Sequence, residues 1–248
     1  MFKEMLVKKI GPGLILCGVS LFSTVSQGAV IASFDTQVSV KVSSTFTTSK
    51  FETELWFDDV YTEGSASGDA SGTGDSGPVT LASGEIGTLS AAASGEVTGD
   101  GSYVDSAWST VGYLSIDNEQ GVNPITGDMT FDLSWSTNIF TNSLYSDAFA
   151  GAYIYIENNA FDIIFDQFIE FDSFFEGPGT FGLDDTFALD VTNLTIAAGG
   201  YEEYYIAIDA IGFAEVPEPG GVFLTGLVLL LAVRRRRTSL QPMLTRCI

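Results

Sequence analysis

Three kinds of residue in this chain have chemistry to offer: clustered aspartates, tryptophans, and a short proline–glutamate motif. The aspartates are Asp58-Asp59, then Asp69 and Asp75 in a glycine-rich stretch, then Asp184-Asp185. Carboxylates and carbonyls beside glycine-rich turns are what hard cations take, so calcium is the metal these residues would hold. None has the spacing of a helix–loop–helix calcium loop or of a glycine-rich nonapeptide repeat. The alternative for each is a solvated turn carboxylate. The tryptophans are Trp56, Trp108 and Trp135. An indole offers a large flat face to a sugar ring or to a core. Trp56, in Leu55-Trp56-Phe57 beside Asp58-Asp59, is the carbohydrate-binding candidate, set against a place in the core. Trp135 falls on the apolar side of an alternating segment, which is a core position.

The missing residues exclude more than the present ones assign. The chain has no histidine, and its two cysteines, Cys17 and Cys247, lie near its termini. Ser-His-Asp and Cys-His mechanisms and the usual histidine-ligated catalytic zinc are therefore absent from the body. No phosphate-binding loop, dinucleotide fingerprint or GxSxG elbow is present. A two-carboxylate glycan hydrolase remains open on composition, but nothing selects one pair. The expectation is a non-enzyme with no catalytic residues and no cofactor beyond calcium.

Charge is distributed unevenly. Between residues 29 and 219 only Lys41 and Lys50 are basic, against 31 of the 32 acidic residues, a balance of −29. Such a body repels nucleic acid and anionic lipid. Its natural partners are divalent cations, cationic polymers or neutral sugars. Charge of this size also keeps an exported protein soluble.

The two ends differ from the body. Lys3, Lys8 and Lys9 precede an apolar run at residues 13–22, and Ser26-Gln27-Gly28 offers small residues ahead of Ala29. That is the order of an export signal, with cleavage expected after Gly28. Lipid attachment at Cys17 is disfavoured by the bulk of Leu16. Near the other end, Val216-Pro217-Glu218-Pro219 is an extended spacer, because each proline excludes helix from the residue before it. Residues 220–233 carry no charge; as a helix they would span about 21 Å, short of a hydrocarbon core of about 30 Å. Arg234, Arg235, Arg236 and Arg237 follow, and by the positive-inside rule they hold this end in the cytoplasm.

Motif, short span and arginine cluster in this order resemble the PEP-CTERM sorting signal of exported Gram-negative proteins. The resemblance covers residues 216–237. It implies recognition of Pro217, Glu218 and Pro219 by an exosortase, arginines acting as the membrane stop, transient anchoring in the inner membrane, and release to the cell surface or exopolysaccharide matrix of a biofilm. The chain departs from the pattern by continuing through residues 238–248. An uncut C-terminal anchor is the alternative.

The elements that must position any site read as strands. Met129, Phe131, Leu133 and Trp135 alternate with Thr130, Asp132, Ser134 and Ser136. Val38, Val40 and Val42 alternate with Ser39, Lys41 and Ser43. Residues 151–157 (GAYIYIE) and 187–191 (FALDV) are aromatic or β-branched. Residues 193–197 and 202–211 flank Gly199-Gly200, which predicts a hairpin. In residues 161–175, Phe161, Ile164, Phe165 and Phe168 have helical spacing, but the aromatic density favours strand. Residues 63–101 are rich in Gly, Ser and Ala, with ASGEIG at 82–87 echoed by ASGEV at 93–97. Within them, residues 64–77 predict a flexible loop and the rest small-residue strands.

The expected organisation is a signal peptide at 1–28, a β-sandwich body at 29–215 with an insertion at about 63–101, the sorting signal at 216–237, and a cytoplasmic extension at 238–248. The fold class is all-β, an antiparallel, jelly-roll-like sandwich. The expected function is a non-catalytic surface or matrix protein associated with exopolysaccharide. A carbohydrate-binding module and a carboxylate-dependent glycan hydrolase are the alternatives.

Overall fold

The computed structural model describes residues 30–218. The expected signal peptide, Pro219, the apolar span, Arg234, Arg235, Arg236 and Arg237, and the expected extension at 238–248 lie outside the described residues. In chain order the elements are β1 (Ala32–Ser44), β2 (Ser49–Glu63), β3 (Ala66–Gly72), β4 (Ser76–Leu81), β5 (Ile86–Val97), β6 (Ser102–Asn118), β7 (Ile125–Thr141), β8 (Asp147–Asn158), β9 (Ile163–Asp172), a four-residue helix α1 (Ser173–Glu176), β10 (Gly179–Ile196) and β11 (Gly200–Val216). Sheet A has the order β10-β7-β1-β5-β3 and sheet B the order β4-β2-β6-β11-β8-β9. Every pairing is antiparallel. Val30–Val216 form one compact unit.

Alternation builds the core. The inward residues Met129, Phe131 and Leu133 of β7 and Val38, Val40 and Val42 of β1 are buried. They meet Ile154 and Ile156 of β8 and Ile206 and Ile208 of β11 in one apolar cluster between the sheets. Trp135 is buried there as well, against Phe165 of β9 at 6.4 Å between ring centres. The all-β expectation holds, and so does the strand reading of the phenylalanine-rich segment across β9. The ends of that segment differ. Phe161 sits in a turn at φ 64°, where the Asn158 side chain accepts from the amides of Ala160 and Asp162.

Two expectations fail. The glycine-rich residues 64–77 are not a flexible loop: they supply β3, and the connection to β4 is pinned at successive residues. Thr73 N donates to Ser90 O at 2.7 Å, the Thr53 hydroxyl donates to Gly74 O at 2.6 Å, and Leu55 N donates to Asp75 Oδ1 at 2.7 Å. The small side chains are what let β3 approach sheet B. A Cβ on Gly72 would stand 2.4 Å from Trp108 Nε1. The second failure is the Gly199-Gly200 hairpin. The turn exists, with Gly199 at φ 75°, but β10 belongs to sheet A and β11 to sheet B. Asn118 holds this crossing: its amide donates to Ile196 O and Ala197 O, and its carbonyl accepts from Gly199 N. The chain changes sheets at almost every step, and β8–β9 is the one consecutive pair that is also adjacent in a sheet.

The core-facing phase of β5 reads Gly87, Leu89, Ala91, Ala93, Gly95, Val97. Its glycines are seats for rings. The Phe34 ring lies where Cβ atoms on Gly95 and Gly212 would intrude, at 2.5 and 2.2 Å. Phe51 fills the corresponding space at Gly87 and Gly112, at 2.6 and 3.1 Å. The two ASGE copies diverge. Residues 82–85 form a turn in which Glu85 accepts from Ala82 N, while residues 93–96 are strand.

One end of the sandwich gathers both limits of the compact unit. Ala32 pairs with Thr141, Glu215 with Asp147, and Val216 with Ser102. The 142–146 connection and α1 lie at the same end, where Leu144, Phe174 and Phe175 are exposed.

Candidate functional site

The carboxylates singled out from the sequence are not brought together. Asp58 and Asp59 are consecutive on β2, opposite Trp108 and Ala107 of β6. Asp184 and Asp185 are consecutive on β10 at the far edge of sheet A. Consecutive strand residues leave opposite faces, so neither pair can converge on one ion. Asp69 lies on β3 opposite Ser94, and Asp75 is engaged with the Leu55 amide. Among the described residues, no group of three or more Cys, His, Asp or Glu is placed to hold a metal ion. Pro217 and Glu218 follow β11 directly. No helix of the described residues is long and apolar enough to cross a membrane.

Trp56 is not a core residue. It is the extra residue of a β-bulge between Leu55 and Phe57, and it is 69 % exposed. The bulge reverses the phase of β2, so that Phe57, opposite Ser109, joins the outward side. The side it joins is the outer face of sheet B.

That face carries two aromatic ladders across the strands. In one, Tyr61, Tyr103, Phe213 and Phe149 follow each other from β2 to β8, with ring centres 6.1, 6.4 and 5.7 Å apart. In the other, Tyr113, Tyr205, Tyr155, Tyr153 and Phe168 run from β6 to β9, at 5.6, 6.3, 6.4 and 6.4 Å. Most of these rings are half-buried, and Tyr61 and Phe168 are exposed. Cross-strand register creates this order: Phe213 faces Phe149, Tyr205 faces Tyr113, and Tyr153 faces Phe168. Between the ladders the outward positions carry no rings: they are Ala107, Ser109 and Val111 on β6, Ala207, Asp209 and Ile211 on β11, and Gly151 on β8. A Cβ on Gly151 would stand 2.9 Å from the Phe168 ring and 3.1 Å from the Phe149 ring. The rings therefore lean over this floor.

Asp209 sits in the floor. Ser109 faces it across β6 and β11 and donates a short hydrogen bond to its Oδ1. Burial pushes the Asp209 carboxyl above its ordinary range, with the Ser109 bond acting in the opposite sense. The neighbouring tyrosines are held protonated. Tyr155 is pushed up to about 12, first by its 2.6 Å hydrogen bond to Glu157. Tyr205 is pushed up to about 12, first by burial and then by its charged neighbours. At neutral pH these hydroxyls are hydrogen-bond donors beside carboxylate acceptors.

The outer face of sheet A differs. Gln37, Ser39, Ser90, Ser134, Asp184 and Thr186 line an open groove of about 490 Å³. Ser39 and Ser134 hydrogen-bond at 2.8 Å across its floor. Its carboxylates are the neighbours Asp184 and Asp185, which leave opposite sides of β10. They do not form the facing pair that glycoside hydrolysis needs.

Sequence reasoning singled out Trp56, which belongs to neither ladder, and missed the ladders. The signal was present in GAYIYIE, where Tyr153 and Tyr155 occupy the phase opposite Ile154 and Ile156. A solvent-facing phase made of rings is unusual, but only register shows that the rings of separate strands line up.

No family model matches the chain, and no curated protein does. Among solved structures, a candidate beta-galactosidase from Bacteroides fragilis aligns at 12% identity over 64% of this chain and 25% of that one, with a TM-score of 0.17. A beta-glucuronidase from glycoside hydrolase family 2 aligns at 10% identity over 65% and 19%, with a TM-score of 0.16. The chain thus spans a quarter or less of those proteins. Likeness at this level carries no argument about fold or activity.

Proposed function

We propose that the compact unit Val30–Val216 is the glycan-binding body of a non-catalytic, exported surface or matrix protein, and that the outer face of sheet B is its contact with exopolysaccharide. The observation that carries this reading is the pair of aromatic ladders flanking a ring-free floor of aliphatic and small side chains around Asp209. Pyranose rings present apolar faces that stack on such rings, and their hydroxyls bond to carboxylates and tyrosine hydroxyls at the margins. Strand-by-strand crossing between sheets supports a jelly-roll-like sandwich, whose long strands would hold the rings rigidly. The lack of a facing carboxylate pair in the sheet A groove supports binding over hydrolysis at that groove.

Delivery follows from the tail. The PEP-CTERM-like order of Pro217, Glu218 and Pro219, the apolar span and the arginines supports an exosortase partner and a precursor held briefly in the inner membrane. One fractionation experiment addresses both halves of the proposal. Replacing Pro217, Glu218 and Pro219 with alanine is expected to retain the protein in membranes. Phe57→Ser with Phe168→Ser, at exposed positions of the face, is expected to leave release intact and to free the protein from the polysaccharide fraction. Polysaccharide association unchanged in the second variant overturns the binding face, and unchanged release of the first overturns the sorting signal.

A further inference from the structure

We infer that the glycan this face takes is a cationic one, a polymer of amino sugars with free amines. The inference rests on the outer face of sheet B being the glycan contact. It comes from where the carboxylates stand relative to the rings. Tyr155 has Glu157 and Asp166 as electrostatic neighbours, Tyr153 has Asp166 and Asp209, and Tyr113 has Glu54, Glu203 and Glu52. Glu170 faces Gly151, between the rings that lean over it. Lys50, beside Ser115 at one margin, is the one basic residue in the strands of sheet B. Acid groups are thus interleaved with the rings and not confined to a separate patch.

Each class of glycan meets this arrangement differently. An anionic polymer would bring its charges against the carboxylates that flank every ladder. A neutral polymer would use the rings and leave the carboxylates with no charged partner. An amine-bearing polymer uses both, because an ammonium group is attracted to a ring face and forms charge-assisted hydrogen bonds to carboxylates. Asp209 adds a specific position. It is a partly desolvated carboxylate in the floor between the ladders, and an ammonium placed over it would recover the charge partner that burial has taken from it.

Sheet A supplies the internal control. Its outer face carries Asp132 and Asp190 on β7 and β10, opposite Ala188 and Thr130, with Lys41 of β1 facing Asp132 and no aromatic ladder through them. Removing charge there tests net charge apart from the rings.

The test uses the full chain in lipid nanodiscs and three probes of equal length: a β-linked glucosamine oligomer, its fully N-acetylated form, and an oligouronate. Polylysine is the competitor without sugar. The glucosamine oligomer is expected to bind about tenfold or more tightly than the acetylated one at low salt, with the gap closing as salt rises. The oligouronate is expected not to bind. Asp166→Asn with Glu170→Gln should weaken the glucosamine oligomer about tenfold and leave the acetylated one unchanged, whereas Asp132→Asn with Asp190→Asn should change neither by more than about twofold. Equal binding of the acetylated and free-amine oligomers overturns the cationic assignment and leaves the glycan-binding face standing. Equal weakening by both charge-removing pairs, or displacement by polylysine as strong as by the sugar, overturns it as well, since net charge then explains the attraction. Binding of none of the oligosaccharides overturns the glycan reading itself.

Discussion

At the scale of single residues, Asp209 is the position where stability and the proposed binding role pull apart. A carboxyl whose folded-state pKa is raised by burial contributes its stability in full below its unfolded pKa and loses it as pH rises through the folded value. At neutral pH the ionised Asp209 therefore weighs against folding. Asp209→Asn keeps an acceptor for Ser109 and removes the charge. It is expected to raise the melting temperature at about pH 7 and to give no gain at about pH 3, where the native carboxyl is protonated. A gain of the same size at both values would show that burial of charge is not the cause. Glu202, also raised by burial, stays in both proteins and cancels in the comparison. Legibility at this scale was partial. Trp56 was identified by its neighbours, yet its exposure depends on a bulge that no local pattern announces. Asp58-Asp59 and Asp184-Asp185 looked like ligand pairs because they were read as turns. Placed on strands, each pair is split between two faces.

At the scale of elements, glycine and alanine do here what larger side chains do in most sandwiches. Gly95 and Gly212, from different sheets, leave the space that Phe34 occupies, and Gly87 and Gly112 do the same for Phe51. Gly212→Ala is expected to destabilise the protein by roughly 1–3 kcal/mol, read as a lower melting temperature, because its Cβ would overlap a fully packed ring. Gly84→Ala makes the useful contrast, since it adds a Cβ in open space and costs only through its positive φ. A Gly212 variant as stable as the native protein would show that Phe34 has room to move. These seats explain why the alternation of β7 and β1 was legible and residues 64–77 were not. Hydrophobic periodicity reports strands that bring their own side chains to the core. β3 brings almost none and is held by its ladder with β5 and by the Trp108 ring it admits at Gly72. The Gly199-Gly200 turn was legible as a turn, but its outcome is decided by Asn118, a distant residue on β6.

At the scale of the whole molecule, a balance of −29 is a standing repulsion, unevenly felt on the two outer faces. Screening should relieve it. Raising sodium chloride from about 10 mM to about 1 M shortens the Debye length from about 30 Å to about 3 Å, and the melting temperature is expected to rise with it. Calcium and magnesium at equal ionic strength are expected to give equal shifts, because the described carboxylates are not gathered around any one point. A larger shift with calcium would require a site assembled from residues that the structure keeps apart. The all-β architecture was legible from the alternation. The sheet order was not, because a chain that crosses between sheets at nearly every step leaves no local record of its neighbours.

The end of the sandwich where β11 finishes has a mechanical consequence. β11 carries Tyr205, Asp209 and Phe213 on its outer side and leads at Val216 into the tail. It is paired along its whole length with β6 and over twelve residues with β8. A polymer pulled against that side while the tail is anchored would load β11 along its own axis. Its two ladders then resist as rows of bonds strained together in shear, not one after another as in a strand peeled from an edge. Under the proposed binding mode, the strand in contact with the polymer is also the strand that would transmit the load, and it lies in the interior of its sheet.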